Sequence, residues 1–175
     1  MIYFIRHGES QANADNIFGG PDSPLTDKGR LQVRAAGEKL KAEGIIIDRI
    51  TASTYRRSID TARIIAEVIG FDQAQIKYDY RLVEYDCGKA IGRSIDSMTQ
   101  AEMIKGPGAE DPEKFRARVL KAFAEIESLP SNILVVSHAG VGCMMQTIKL
   151  GLPPEKFIEI QDYPNGEVIQ LEVKI

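Results

Sequence analysis

The sequence predicts an α/β fold: a three-layer α/β/α sandwich with a largely parallel central sheet and helices on both faces. Three observations predict it. Short β-rich apolar runs alternate with longer stretches whose apolar residues recur every three or four positions, the order that winds a parallel sheet. Ile133 to Val136 is a continuous apolar run, as a strand covered on both faces requires. No internal repeat, low-complexity tract or long linker breaks the pattern, and 175 residues suit one core. Residues 1–175 are therefore expected to form a single domain.

Taken in order, Ile2 to Ile5 reads as the first strand, ending at Arg6-His7-Gly8. Asn13 to Pro24 is rich in Asn, Asp, Gly and Pro and reads as a loop. Thr26 can cap a helix to about Glu43, with Leu31, Val33, Ala36 and Leu40 as its apolar positions. Asp48 to Ala52 follows as a second strand. A helix follows from Ser53, because Tyr55, Ile59, Ala62, Ala66 and Ile69 recur at spacings of three and four. A strand is expected near Ile76 to Tyr80, then an irregular stretch to Gly108 with a weak helical pattern around Ile95 to Ile104. Asp111-Pro112-Glu113 combines a capping aspartate, proline at the first helical position and acid in the first turn. The buried stripe of that helix runs from Phe115 to Leu129, and Pro130 ends it. After the strand Ile133–Val136 comes Ser137-His138-Ala139-Gly140 and a helix to about Leu150. Phe157 to Ile160 and Val168 to Val173 are expected as closing strands, the last either a free edge or a dimer seam.

Composition narrows the function classes. Hydrophobic residues are 43% and charged residues 27%, and the net charge of −3 leaves no basic footprint of the kind nucleic-acid binding requires. No apolar run approaches the roughly 20 residues that cross a bilayer, and the first residues lack the pattern of a signal peptide. Neither nucleic acid nor membrane is expected as a partner. Cys87 and Cys143 form no metal-binding spacing and read as free thiols in a reducing compartment, so a cytoplasmic location is expected.

The only two histidines occupy matching places. His7 follows the first strand and His138 follows the strand Ile133–Val136, each with a glycine close behind. In a parallel sheet both imidazoles reach the carboxyl edge, where ligands of such folds bind. Arg6 precedes His7, and Arg57 falls in the first turn of a helix, whose N-terminus attracts anions. A guanidinium remains charged and its planar fork matches phosphate oxygens, so this grouping suits a phosphoryl group; surface salt bridges are the alternative for each arginine. A metal site would use two histidines and an acid, yet the chain lacks HxxxH or HxH spacing and nearby arginines oppose a cation. No metal and no cofactor are expected.

Arg6-His7-Gly8-Glu9-Ser10, with Asn13 following, resembles the opening signature of the histidine phosphatase superfamily, the phosphoglycerate-mutase-like proteins. Further matches follow in family order: Pro24-Leu25-Thr26 with Gly29; Ser53 to Ala62, in which Arg57 takes the arginine position; Leu82-Val83-Glu84 with Gly88; and Val135 to Gly140, with Ala139 at the first glycine. The resemblance implies a histidine-phosphatase-like catalytic domain and roles for its residues. His7 would attack phosphorus and become a phosphohistidine. Arg6, Arg57 and His138 would hold the phosphoryl oxygens, with Ser10 and Asn13 adding hydrogen bonds. Glu84 would protonate the leaving oxygen and then activate water. The substrate would be a small phosphorylated molecule, hydrolysed by a metal-independent phosphomonoesterase.

Mutases share this core. The stretch from Glu84 to His138 is short for the phosphoglycerate mutases of the family, which carry extra segments there, so hydrolysis is the expected activity and mutase the alternative. A phospholigand-binding pseudoenzyme is a third reading, set against the presence of His7, Arg57, Glu84 and His138 together. After Glu84 the sequence departs from the family, and Lys89, Arg93 and Lys105 are either substrate contacts or solvated charges. Gly108-Ala109-Glu110-Asp111 resembles a family segment that makes Glu110 a pocket candidate, while the helix start explains it equally well. Cys87 is either a redox-sensitive thiol or a structural one. Oligomeric state is left open by the sequence.

Overall fold

A computed structural model describes residues 1–160 and 163–171. Five strands form one sheet in the order β3-β2-β4-β1-β5: β1 (Ile2–Arg6), β2 (Arg49–Ala52), β3 (Lys77–Tyr78), β4 (Ile133–Ser137) and β5 (Val168–Leu171). The first four run parallel, and β5 joins the edge antiparallel to β1. Strand alternation divides the core in two. Tyr3, Ile5, Leu134 and Val136 pack on one side with Val33 and Leu40 of α2 (Asp27–Ala42) and Ile65 of α3 (Arg56–Ile69). Ile2, Phe4, Ile133 and Val135 pack on the other with Phe115 and Phe123 of α5 (Pro112–Glu127) and Met144 of α6 (Ala139–Lys149). Helices therefore cover both faces of a mostly parallel sheet, as the alternation of elements predicts.

The caps read from the sequence are made. Thr26 accepts the amide of Gly29 at 3.0 Å, and Asp111 accepts that of Glu113 at 2.8 Å with Pro112 opening the helix. Gly70 ends α3 in the left-handed conformation, φ 76°, which a residue without a Cβ adopts cheaply.

Three elements differ from the sequence expectation. Phe157 to Ile160 is not a strand but part of a 3₁₀ turn over Pro154–Glu159. Pro153 caps that turn and Pro154 opens it, and the Phe157 ring packs 5.2 Å from Phe115 and 5.0 Å from Tyr85. Val168–Leu171 is a strand as expected, while residues 172 and 173 of the expected run lie outside the described residues. The pattern around Ile95 to Ile104 divides into a 3₁₀ turn, Ile95–Ser97, and a short helix α4 (Gln100–Lys105), because Thr99 and Glu102 form a capping box that starts a new helix. The expected loop after Asn13 begins with a single helical turn, α1 (Gln11–Ala14), capped reciprocally by Ser10 and Asn13.

What matters for function is the carboxyl edge. The segments after β1, β2, β3 and β4 carry His7, Arg57, Glu84 and His138 respectively. Parallel pairing sets Arg6 opposite Ser137, and the His7 amide donates to the Ser137 carbonyl at 2.9 Å, so the two histidines emerge side by side. Among the described residues no helix is long and apolar enough to cross a membrane.

Candidate active site

His7 is 3% exposed and held at both ring nitrogens. Nδ1 lies 2.7 Å from the Gly8 carbonyl, which can only accept, so Nδ1 carries the proton. Nε2 therefore has a bare lone pair, and it accepts from Nε of Arg57 at 2.9 Å. Gly8 is needed here: a Cβ would run into the Gly29 carbonyl and the Val33 side chain, so two glycines let the turn after β1 touch the start of α2. The Gly8 amide donates to Thr61 Oγ1 at 3.2 Å, and that hydroxyl donates to the Arg57 carbonyl at 2.7 Å. The turn bearing His7 is thereby tied to the helix bearing Arg57.

Arg57 is buried in the first turn of α3, donates to the Gly20 carbonyl at 2.7 Å and lies 5.0 Å from the Tyr55 ring centroid. Arg6 donates to the Tyr163 carbonyl at 2.6 Å. His138 caps α6 in extended backbone, fully buried, with its ring edge-on to His7 at 5.2 Å. Its Nε2 contacts Ser53 Oγ at 2.7 Å and Ser58 Oγ at 3.3 Å, whereas its Nδ1 is buried with no hydrogen-bond partner among the described residues.

Glu84 stands on the segment that follows β3. Its carboxylate accepts the amides of Tyr85 at 2.9 Å and Gly140 at 3.3 Å. A Cβ at position 140 would collide with that carboxylate, so Gly140, at the start of α6, makes room for the acid. Arg118 holds the segment behind it, donating to the carbonyls of Arg81, Val83 and Glu84 at 2.7–2.9 Å and making a forked ion pair with Glu110 at 2.7 and 2.8 Å.

Burial dominates the electrostatics. It pushes His7 well below its ordinary imidazole value, helped by the charges of Arg57 and Arg6 and opposed by the Gly8 hydrogen bond. It pushes His138 down likewise, with Arg57 and His7 adding. The same burial raises Glu84, against the Tyr85 amide and the nearby arginines. Neutral imidazoles thus face a carboxyl group biased toward its protonated form.

Arg6, His7, Ser10, Asn13, Arg57 and Glu84 line one cavity of about 270 Å³. His138 does not reach its wall and sits behind His7. The Ser10 hydroxyl donates to Asn13 Oδ1 at 3.0 Å in the α1 cap, so the amide nitrogen of Asn13 is the donor this pair has to offer. Glu110 is not a pocket residue: its carboxylate is turned to Arg118. Lys89, Arg93 and Lys105 are exposed and outside the lining. Cys87 does line the cavity, half-buried, with burial first among the causes that push its thiol up to about 12; it is a thiol, not a thiolate.

Several contributing residues escaped the sequence reading. Arg118 has an ordinary place on a helix, and only the segment it grips gives it meaning. Asn165, whose side-chain amide donates to the His7 carbonyl at 2.9 Å, and Tyr163 lie far along the chain in a loop without a motif. Ser53 and Ser58 stood within the matched block but point at His138, which only the fold reveals.

A mostly parallel sheet with two histidines, two guanidinium groups and a buried carboxyl group at its carboxyl edge defines a phosphoryl-handling α/β enzyme. A sequence model of the histidine phosphatase superfamily (branch 1) matches residues 2–174, and the chain belongs to that superfamily. A relative from Salmonella typhi, named "Probable phosphoglycerate mutase GpmB", is 40% identical over 87% of this chain and 76% of its own. The structure of the alpha-ribazole phosphatase from Shigella flexneri superposes with a TM-score of 0.79 at 25% identity, covering 95% of this chain and 87% of that one. YhfR of Bacillus stearothermophilus superposes with a TM-score of 0.81 at 25% identity, covering 95% and 88%. The family comprises phosphatases and mutases, so the protein is an enzyme of one of those kinds.

Proposed function

We propose that the protein hydrolyses small phosphomonoesters through a phosphohistidine on Nε2 of His7, with Glu84 as general acid and then general base, and without a metal. The observation that carries this reading is the locked tautomer of His7: Nδ1–H on the Gly8 carbonyl leaves Nε2 as a lone pair facing Arg57. An arriving phosphoryl group takes over the Arg57 donor and meets the lone pair in line. The N–P bond forms as the ester P–O bond breaks, and Glu84 gives its proton to the departing oxygen. Arg6, Arg57 and the amide of Asn13 offset the charge on the equatorial oxygens. His138 stands behind His7 and outside the cavity lining, so in this reading it supports the nucleophile from behind, with its Nε2 on Ser53 and Ser58. In the second half, water loses a proton to Glu84 and attacks phosphorus, releasing phosphate and free His7.

The test follows phosphate release from an aryl phosphate in excess chelator. Native protein is expected to turn over, and His7→Ala to lose at least a thousandfold in kcat. Survival of most activity in the variant would overturn the nucleophile assignment, and loss with chelator would overturn the metal-free mechanism. The name of the Salmonella typhi relative favours a second reading, a mutase that passes the phosphoryl group to another hydroxyl. With 3-phosphoglycerate as substrate, isomer formation without phosphate release would favour it.

A further inference from the structure

From the apolar part of the cavity lining, we infer that the leaving group this cavity accepts is an uncharged alcohol with an apolar body, aryl or branched alkyl, and not a carboxylate-bearing one such as glycerate. The inference rests on the reading of the cavity as a phosphomonoester site. Beyond Arg6 and Arg57, no lysine or arginine lines the cavity among the described residues, and its outer wall carries Ile17, Phe18, Ile91, Ile95 and Met103. The acidic side chains of the lining are Glu84 and Asp86. A second carboxylate bound against those apolar side chains would meet no lysine or arginine of its own and would share the cavity with Asp86, an unpaired charge in a poorly solvated place.

The wall is built and not a chance of loose side chains. Residues 16–18 and 92–95 pair across the mouth: Phe18 donates its amide to the Arg93 carbonyl at 3.0 Å, Gly92 to Phe18 at 2.8 Å, and Ile95 to Asn16 at 3.0 Å. The Asn16 side chain also donates to Asp96 at 2.6 Å. This clasp presents Ile91 and Ile95 at the mouth while leaving them 45% and 37% exposed, a cost in exposed apolar surface that a bound apolar group would remove. The exposed Lys89, Arg93 and Lys105 stand on or near the same segment, yet their side chains lie outside the lining.

Three phosphonates, which cannot be hydrolysed, test the inference by calorimetry. 1-Naphthylmethylphosphonate is expected to bind at least about ten-fold more tightly than methylphosphonate, as burial of two or more methylene equivalents gives. 2-Carboxyethylphosphonate is expected to bind no more tightly than methylphosphonate. Ile95→Lys, on an exposed position, is expected to weaken the naphthyl ligand and strengthen the carboxylated one. Carboxyethylphosphonate matching the naphthyl ligand, equal affinity for all three, absence of binding, or an unchanged preference in Ile95→Lys would each overturn the inference. Turnover of aryl esters is scored separately: ligand preference without hydrolysis leaves this inference standing and removes the hydrolytic reading, and hydrolysis without preference does the reverse.

Discussion

Burial acts on His7 and Glu84 in opposite directions on the pKa scale, because in both it disfavours the charged form. In the proposed chemistry the nucleophile is neutral and the acid protonated, so its working state lies above the lowered value of His7 and below the raised value of Glu84. The profile of kcat/KM should therefore be a bell whose limbs are set by these two groups. Its acid limb lies below the ordinary imidazole value of 6.5 and its alkaline limb above the ordinary carboxyl value of 4.5, once the second ionisation of the ester, about 6, is corrected for. A rate that keeps rising to pH 9 would show that no protonated acid is needed. Glu84→Gln separates the roles further. With a good leaving group such as p-nitrophenol, phosphorylation of His7 needs little protonation, so the variant should trap a phosphohistidine while its turnover falls about a hundred- to ten-thousandfold. Equal losses for good and poor leaving groups, without trapped intermediate, would remove Glu84 from proton transfer.

At the scale of the elements, the regular ones were legible and the connectors were not. The helix caps at Thr26 and Asp111 and the apolar run at Ile133–Val136 are local signals, and local hydrogen bonds and burial answered them. Phe157 to Ile160 read as a strand because an apolar run has no direction of its own; a proline pair and an aromatic cluster decided for a turn. The acid-bearing segment 80–90 has two 3₁₀ turns and no strand or helix long enough to fix it, so α5 fixes it through Arg118. Arg118 is thus a positioning residue for Glu84. Arg118→Met keeps much of the packing over Phe115 but leaves three carbonyls and Glu110 without their donor. Expected is a fall of about tenfold to a hundredfold in kcat with little change in KM, greater for poor leaving groups than for p-nitrophenol. Arg118→Lys, which lacks the fork, should recover only part of it. An equal loss for both leaving groups would mark Arg118 as merely structural.

Across the whole molecule, the site residues were legible to the extent that they sit in contiguous motifs at strand ends; the tie of Asn165 and Tyr163 to the His7 turn spans more than 150 positions and leaves no local trace. The site also sets how stability depends on pH. Both histidines are buried with folded pKa values well below 6.5, so the unfolded chain binds protons there that the folded chain refuses. Their contribution is full above pH 6.5 and is lost as pH falls through that value toward the folded ones. Glu84 has the opposite sign: its folded value is raised, so its contribution is full below 4.5 and is lost as pH rises through the folded value. Two imidazoles outweigh one carboxyl, so denaturant unfolding should show stability falling from pH 7 toward pH 5, at a slope of at most two protons, ~2.7 kcal/mol per pH unit. His7→Asn should flatten that slope by up to one proton, ~1.4 kcal/mol per pH unit, whatever its effect on stability at pH 7. If the native protein and His7→Asn lose stability in parallel over this range, the His7 ring takes up its proton in the folded state as readily as in the unfolded chain. The neutral nucleophile on which the proposed chemistry depends would then be lost.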